Sequence, residues 1–237
     1  MQNIYIIGDV HGCYESLMAL IARLPAKFDS KICFVGDLCD RGPHSAKVIE
    51  FVRSHGYDCV RGNHERRFLL AKSSAQRCVR DREIVIGASD DINWIAKSGG
   101  SDTMKSYFAP EFSALLNEHL EYLQNLPVFL QYDIFDENSR SLVVSHSAVG
   151  NMWKFRDFGA VKDDFEAHVL SGRDDYTDNT GIFNVYGHTP QDEPFINDYS
   201  ANIDLGCVFK KRGYKNARLC AMEFPSKRLF IQDCIDF

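Results

Sequence analysis

Short apolar runs alternate with amphipathic stretches through the first third of the chain. Ile4–Ile7 and residues 32–35 hold no charged position on either face, the pattern of strands covered on both sides. Between them Leu17, Leu20, Ile21 and Leu24 recur at helical spacing, and Pro25 ends that segment. Ser45 can cap a second helix with Val48, Ile49 and Val52 on its inward face and Gly56 as its stop. A strand around Cys59 and Val60 follows, then a helix over residues 65–72. Residues 73–125 are helical in pattern, most clearly over 113–125, where Leu115, Leu116, Leu120 and Leu123 share a face. After Pro127 the style changes, and strands are predicted at 128–135, 141–145, 183–186, 217–224 and 228–232. A β-α-β first half and a strand-rich second half predict an α/β fold of four layers, αββα. Two packed mixed sheets are flanked by helices in one domain over residues 1–237, with residues 73–125 as a helical cap or side insertion. In such folds ligands sit at loops following strand C-termini.

Composition narrows the class. The 237 residues are 45% hydrophobic and 25% charged, as in ordinary globular proteins. A net charge of -6 argues against a general nucleic-acid binder, which needs a basic surface for counterion release. Met1-Gln2-Asn3 offers no basic leader, and no run approaches the ~18 apolar residues of a membrane span. The 8 cysteines are scattered without a C-x-x-C pair, and several lie in apolar runs. The expectation is a cytoplasmic protein with reduced core thiols.

The chemistry concentrates in three blocks, each after an apolar run: Gly8-Asp9-Val10-His11-Gly12, Gly36-Asp37-Leu38-Cys39-Asp40-Arg41-Gly42 and Gly62-Asn63-His64-Glu65. One block alone is weak, because Asp caps helices and Asn-Gly pairs build turns. Two carboxylates and an arginine crowded between glycines are costly unless a cation and an anion are both present. All three blocks in order point to a two-cation site for displacement at phosphorus. Two further histidines follow predicted strands: His146, and His188 in Tyr186-Gly187-His188-Thr189-Pro190. His44, His55, His119 and His168 lie in polar or helical contexts and read as surface residues. Cys39 reads as a buried bystander. Trp94, Tyr107 and Phe108 read as core, with a groove wall as the other reading.

These blocks resemble the signature of the phosphoprotein phosphatase family within the calcineurin-like metallophosphoesterases. The likeness is strongest to the compact branch that includes the bacteriophage lambda phosphatase and bacterial relatives. It extends through Val143-Val144-Ser145-His146, Val169-Leu170-Ser171-Gly172-Arg173 and Ile203-Asp204-Leu205-Gly206. The resemblance implies that Asp9 and His11 bind one metal, that Asp37 bridges two, and that Asn63, His146 and His188 complete the second. It further implies that Asp40 and His64 act in proton transfer and that Arg41 and Arg173 grip phosphate, with Asn63 also facing substrate. Arginine's fork suits phosphate oxygens, and His64 is placed to protonate a leaving alkoxide with Asp40 orienting it. Two divalent ions are expected, Mn²⁺ first, with Fe or Zn²⁺ also admitted by mixed oxygen and nitrogen donors.

The expected activity is that of a serine/threonine protein phosphatase. Phosphomonoesters, with phosphotyrosine as a further candidate, would be hydrolysed by direct attack of a metal-bridging water. Its partners would be phosphorylated proteins or peptides, not nucleic acid or membrane. The alternative is a symmetrical diadenosine tetraphosphate hydrolase, since Gly36 to Pro43 also fits the form seen in those enzymes. Asp40 favours the phosphatase, because those hydrolases usually lack a carboxylate there. A non-catalytic scaffold on the same fold is a remote third reading, as no expected ligand is missing.

Overall fold

The computed structural model describes residues 3–86, 92–174 and 181–237. The chain opens with β1 (Ile4–Ile7), α1 (Tyr14–Ile21), β2 (Ile32–Phe34), α2 (Ser45–Ser54) and β3 (Asp58–Cys59). Helices α3 (Asn63–Leu70), α4 (Lys72–Asp81), α5 (Ile92–Ser98, wound with wide π-type turns), α6 (Gly100–Ser106), α7 (Pro110–Ser113) and α8 (Leu116–Asn125) follow. The second half carries β4 (Phe129–Phe135), β5 (Ser141–Ser145), β6 (Ala148–Val149), α9 (Lys162–Ser171), β7 (Arg173–Asp174) and β8 (Ile182–Tyr186). It closes with β9 (Phe195–Ile196), β10 (Ser200–Asn202), β11 (Arg218–Phe224) and β12 (Arg228–Asp233).

The strands form two five-stranded mixed sheets, β12-β11-β1-β2-β3 and β4-β5-β8-β10-β9. In the first, β1, β2 and β3 run parallel while β11 is antiparallel to both β1 and β12. In the second, β5, β8 and β10 run parallel between antiparallel edge strands. The alternation along β1 explains why its apolar run is unbroken. Ile4 and Ile6 face the second sheet and pack with Val144, Phe183, Val185 and Phe224, whereas Tyr5 and Ile7 face the helices. On the far face of the second sheet, α9 contributes Phe165 and Val169 around Trp153. Four layers result, as the sequence pattern predicts.

Helices α4 to α8 are continuous with the principal core. Trp94, Met104, Tyr107, Leu116, Leu120 and Leu123 share one apolar cluster with Leu17 of α1 and Val48 of α2. Trp94 and Tyr107 are therefore core residues, as expected. Helix α3 starts two residues earlier than the pattern suggests, which puts Asn63 and His64 on its first turn. The paired strands β6 and β7, and the short β9 and β10, lie where no strand is predicted; two or three residues give no period to detect.

His119 is not the surface residue its helical context suggests. It is wholly buried on α8, where Tyr107 Oη lies 2.7 Å from Nδ1 and Glu50 Oε2 lies 3.0 Å from Nε2. A neutral ring satisfies both contacts, accepting from the tyrosine and donating to the carboxylate. All eight cysteines are buried free thiols. Among the described residues no helix is long and apolar enough to cross a membrane.

Two predictions follow from this packing. Gly36 lies two residues beyond β2 at φ +93°, and a Cβ there would stand 2.6 Å from the Gly62 nitrogen. Gly36→Ala should lower stability by at least ~1 kcal/mol in urea titrations, from left-handed strain and from pushing apart the second and third loops. Burial lowers the pKa of His119 despite the Glu50 carboxylate. As pH falls below about 6.5, the unfolded chain takes up a proton that the folded ring resists, so this contribution to stability is lost on acidification. Between pH 7 and pH 5, urea titrations of His119→Gln should show a shallower loss of stability than the parent protein.

Candidate metal centre and active site

Parallel strands β1, β2 and β3 end on one edge, so the three glycine-bounded blocks become neighbouring loops. From the second sheet, the ends of β5 and β8 bring His146 and His188 to the same place. The backbone is unusual here: His11, Asp37, Asp40, Arg41 and His188 all have left-handed φ, between 45° and 73°. Such conformations cost non-glycine residues about 1–2 kcal/mol each and persist only where surrounding structure holds them. The chief restraint is Glu65, at the third position of α3. Its buried carboxylate accepts the backbone N–H groups of Asp37 (2.8 Å), Leu38 (2.8 Å), Cys39 (3.3 Å) and Gly62 (2.9 Å). Burial, then the Asp37 charge, raise this carboxyl to about 7 against the opposing pull of the backbone donors.

Asp37 is the centre of the cluster. Its carboxylate lies 3.5 Å from His11 Nε2 and 3.9 Å from His64 Nε2 on one side, and 3.4 Å from His146 Nε2 on the other. His146 Nε2 lies 2.9 Å from the Asn63 amide and 3.1 Å from His188 Nδ1. The Asp9 carboxylate is 4.0 Å from His11 Nε2 and accepts the backbone N–H of His188 at 3.2 Å. His11 and His146 each contact a main-chain carbonyl through Nδ1, at Cys39 (2.7 Å) and Val35 (2.9 Å). With Nδ1 as donor, both Nε2 lone pairs point into the cluster, the arrangement usual for metal-binding imidazoles.

The electrostatics fit the same role. Burial opposes ionisation of Asp37, but His146, His64, His11 and Arg41 outweigh it and hold the carboxyl well below its usual range. Burial lowers the pKa of His11, His146 and His188, that of His188 to about 3. Burial, then the negative charges of Asp204 and Asp37, raise Asp9, so nothing anionic nearby welcomes its charge. Two groups of donors emerge, His11-Asp37-His64 and Asp37-His146-His188, sharing Asp37. Convergent lone pairs of this kind fit divalent cations. The cluster already accommodates one positive group, since the Arg41 guanidinium lies against Nε2 of both His11 and His64.

Beside the donors stands a hydrogen-bonded pair. His64 Nδ1 lies 2.6 Å from Asp40 Oδ2. Asp40 has no solvent exposure, and its oxygens also accept from Trp94 Nε1 (2.9 Å) and the Thr103 hydroxyl (2.6 Å). Trp94 is fixed by stacking on Phe68 at a ring separation of 4.9 Å. Arg41 is anchored through its N–H to the Gly99 carbonyl, and its guanidinium passes 5.4 Å from the Phe209 ring. Arg173, on β7, has an exposed side chain at the edge of the cluster, close enough for its charge to lower His188.

The structure thus gathers Asp9, His11, Asp37, Asn63, His146 and His188 with Asp40, His64 and Arg41, and leaves Arg173 at the periphery. Sequence reasoning missed Glu65, Thr103, Trp94 and Asp204 as contributors. Glu65 carried a signal, a carboxylate three residues into a helix that opens on Gly62. Trp94 and Thr103 carried none.

Comparison with known proteins adds what geometry does not. The chain is 31% identical to a bis(5'-nucleosyl)-tetraphosphatase PrpE [asymmetrical] of Halalkalibacterium halodurans, over 93% of this chain and 89% of the relative. Further bacterial relatives matched over most of the chain carry the same name. Among solved structures, one provisionally described as a diadenosine tetraphosphatase aligns over 97% of this chain and 92% of its own (TM-score 0.56, 17% identity). A protein serine/threonine phosphatase of Saccharomyces cerevisiae aligns over 97% of this chain and 78% of its own (TM-score 0.56, 14% identity). Those two likenesses show a common fold and do not separate substrates.

The names of the near-full-length relatives overturn the expectation of a protein phosphatase acting on phosphorylated proteins or peptides. Asp40, the residue that favoured phosphomonoesters, orients His64 as expected and does not separate the two substrates. Its carboxylate is occupied by His64, Trp94 and Thr103 and presents nothing to a substrate. The model of the family described as calcineurin-like phosphoesterase matches residues 2–208. With that match and the sheet-edge site in agreement, the chain belongs to the calcineurin-like phosphoesterases.

Proposed function

We propose that this chain is a divalent-metal-dependent dinucleoside tetraphosphate hydrolase. The observation that carries the reading is its likeness, over 93% of its length, to relatives named asymmetrical bis(5'-nucleosyl)-tetraphosphatases. Asymmetrical cleavage adds one water across an end phosphoanhydride and yields a nucleoside triphosphate and a nucleoside monophosphate. The symmetrical cleavage considered above would yield two diphosphates. Two divalent ions held by Asp9, His11, Asp37, Asn63, His146 and His188 would screen phosphate charge and acidify a water, Mn²⁺ being the first candidate before Fe or Zn²⁺.

The chain's own residues supply positioning. Arg41 can fork two phosphate oxygens once its guanidinium turns from the imidazoles, and Arg173 reaches the phosphate chain from the exposed side. A tetraphosphate carries more charge over a greater length than one phosphomonoester, so two separated arginines suit it. His64 presents Nε2 to the reacting phosphate, with Asp40 holding Nδ1. The leaving oxygen here is that of a nucleotide phosphate, far less basic than a serine alkoxide. His64 therefore acts mainly as a hydrogen-bond donor to developing charge rather than as an obligatory acid. Trp94 and Thr103 fix Asp40 and so the imidazole plane.

With Mn²⁺, the purified protein should convert diadenosine tetraphosphate to ATP and AMP in equal amounts by chromatography, and EDTA should abolish turnover. A preparation that leaves this substrate intact while dephosphorylating a phosphopeptide overturns the proposal; ADP as sole product overturns the asymmetrical assignment. Trp94→Phe keeps the stack on Phe68 and removes one donor to Asp40. Its kcat should fall about 10-fold with KM little changed, the worth of one hydrogen bond to a charged group.

A further inference from the structure

Far from each other in sequence, three thiols and a carboxylate meet beside α1. Cys13, Cys207, Cys234 and Asp236 each offer a ligand atom, and these atoms lie within 4.8 Å of one another. Cys13 directly precedes α1, Cys207 follows Gly206 after the second sheet, and Cys234 and Asp236 lie just beyond β12. All three thiols are buried, at 0%, 1% and 6% exposure. None of these groups takes part in the centre described above.

The geometry points to a second, structural metal site here, occupied by Zn²⁺ with ligands Cys13, Cys207, Cys234 and Asp236. Four donors with three sulfurs are the set that zinc favours in closed tetrahedral sites. Zinc–sulfur bonds of ~2.3 Å place tetrahedral sulfurs ~3.8 Å apart, so side-chain adjustments within the existing cluster suffice. A disulfide would use two of the thiols and leave the third sulfur without a role. Asp236 is already oriented: Oδ1 accepts the Glu15 N–H at 2.9 Å and Oδ2 accepts the Ser16 N–H at 3.1 Å. Oδ2 also accepts the Ser16 hydroxyl, so Oδ1 keeps the lone pair free for an ion, and those amides at the positive end of α1 offset part of the anionic charge. On binding, three thiol protons pass to solvent and no electron is transferred. The ion would tie the C-terminal segment to the loop that carries His11.

The test is X-ray absorption at the zinc edge on full-length protein loaded with Zn²⁺ under reducing conditions. The catalytic donors are oxygen and nitrogen only, so a sulfur shell at ~2.3 Å reports this site alone. Cobalt(II) loading should likewise give a thiolate-to-cobalt charge-transfer band, which Cys234→Ala loses and Cys78→Ala, on α4, retains. Absence of both the sulfur shell and the band from the wild-type protein overturns the proposal, whether or not Cys234→Ala folds. A native disulfide among the three cysteines, found by mass spectrometry of protein purified without reductant, overturns it too.

Discussion

The site depends on one buried carboxylate binding the backbone of another loop. Glu65 collects N–H groups from Asp37, Leu38 and Cys39 and from its own helix start at Gly62. That network holds Asp37 in a left-handed conformation and faces it toward histidines drawn from four different segments. Gly36 and Gly62 make the approach possible, because a Cβ on Gly62 would lie 2.6 Å from the Asp37 nitrogen and 2.7 Å from Glu65 Oε2. A buried charge is expensive when unpaired, and here directed amides rather than a counter-charge stabilise it.

Much of this was legible in the sequence, for local reasons. Strands β1 and β2 are covered on both faces and read as unbroken apolar runs, β5 carries such a run between two serines, and α1 and α2 show one apolar face each. The donors stand beside glycines directly after those runs, so their identity and approximate place follow from short-range pattern. What was not legible is long-range. Thr103 reaches Asp40 across 63 positions and Trp94 across 54, and no local period announces either contact. His119 looked like a surface residue because its neighbours on α8 are polar, yet it sits on the buried face with Glu50 as partner.

The misjudged substrate has the same origin. A carboxylate in the second block identifies a residue type at a position, and it says nothing about where the oxygens face. Asp40 spends its acceptors on an imidazole, an indole and a hydroxyl, so it supports His64, as expected, whichever phosphate is bound. The selection between a phosphoprotein and a tetraphosphate must then rest on groups at the open side, such as Arg41 and Arg173. The helices α5 and α6 gain a function by the same contacts, because they furnish two of the donors that fix the imidazole.

The donors come from both sheets: Asp9, His11, Asp37 and Asn63 from the edge of the first, His146 and His188 from the second. Asp9 and the His188 amide that meets it are separated by 179 positions. Neither sheet alone contains the complete set, so the centre comes into being only when the two apolar faces close on each other. Assembly of the binding site thus requires that the two layers dock. A bound cation would act as a clasp across that seam, resisting the separation of the sheets wherever in the core the opening begins.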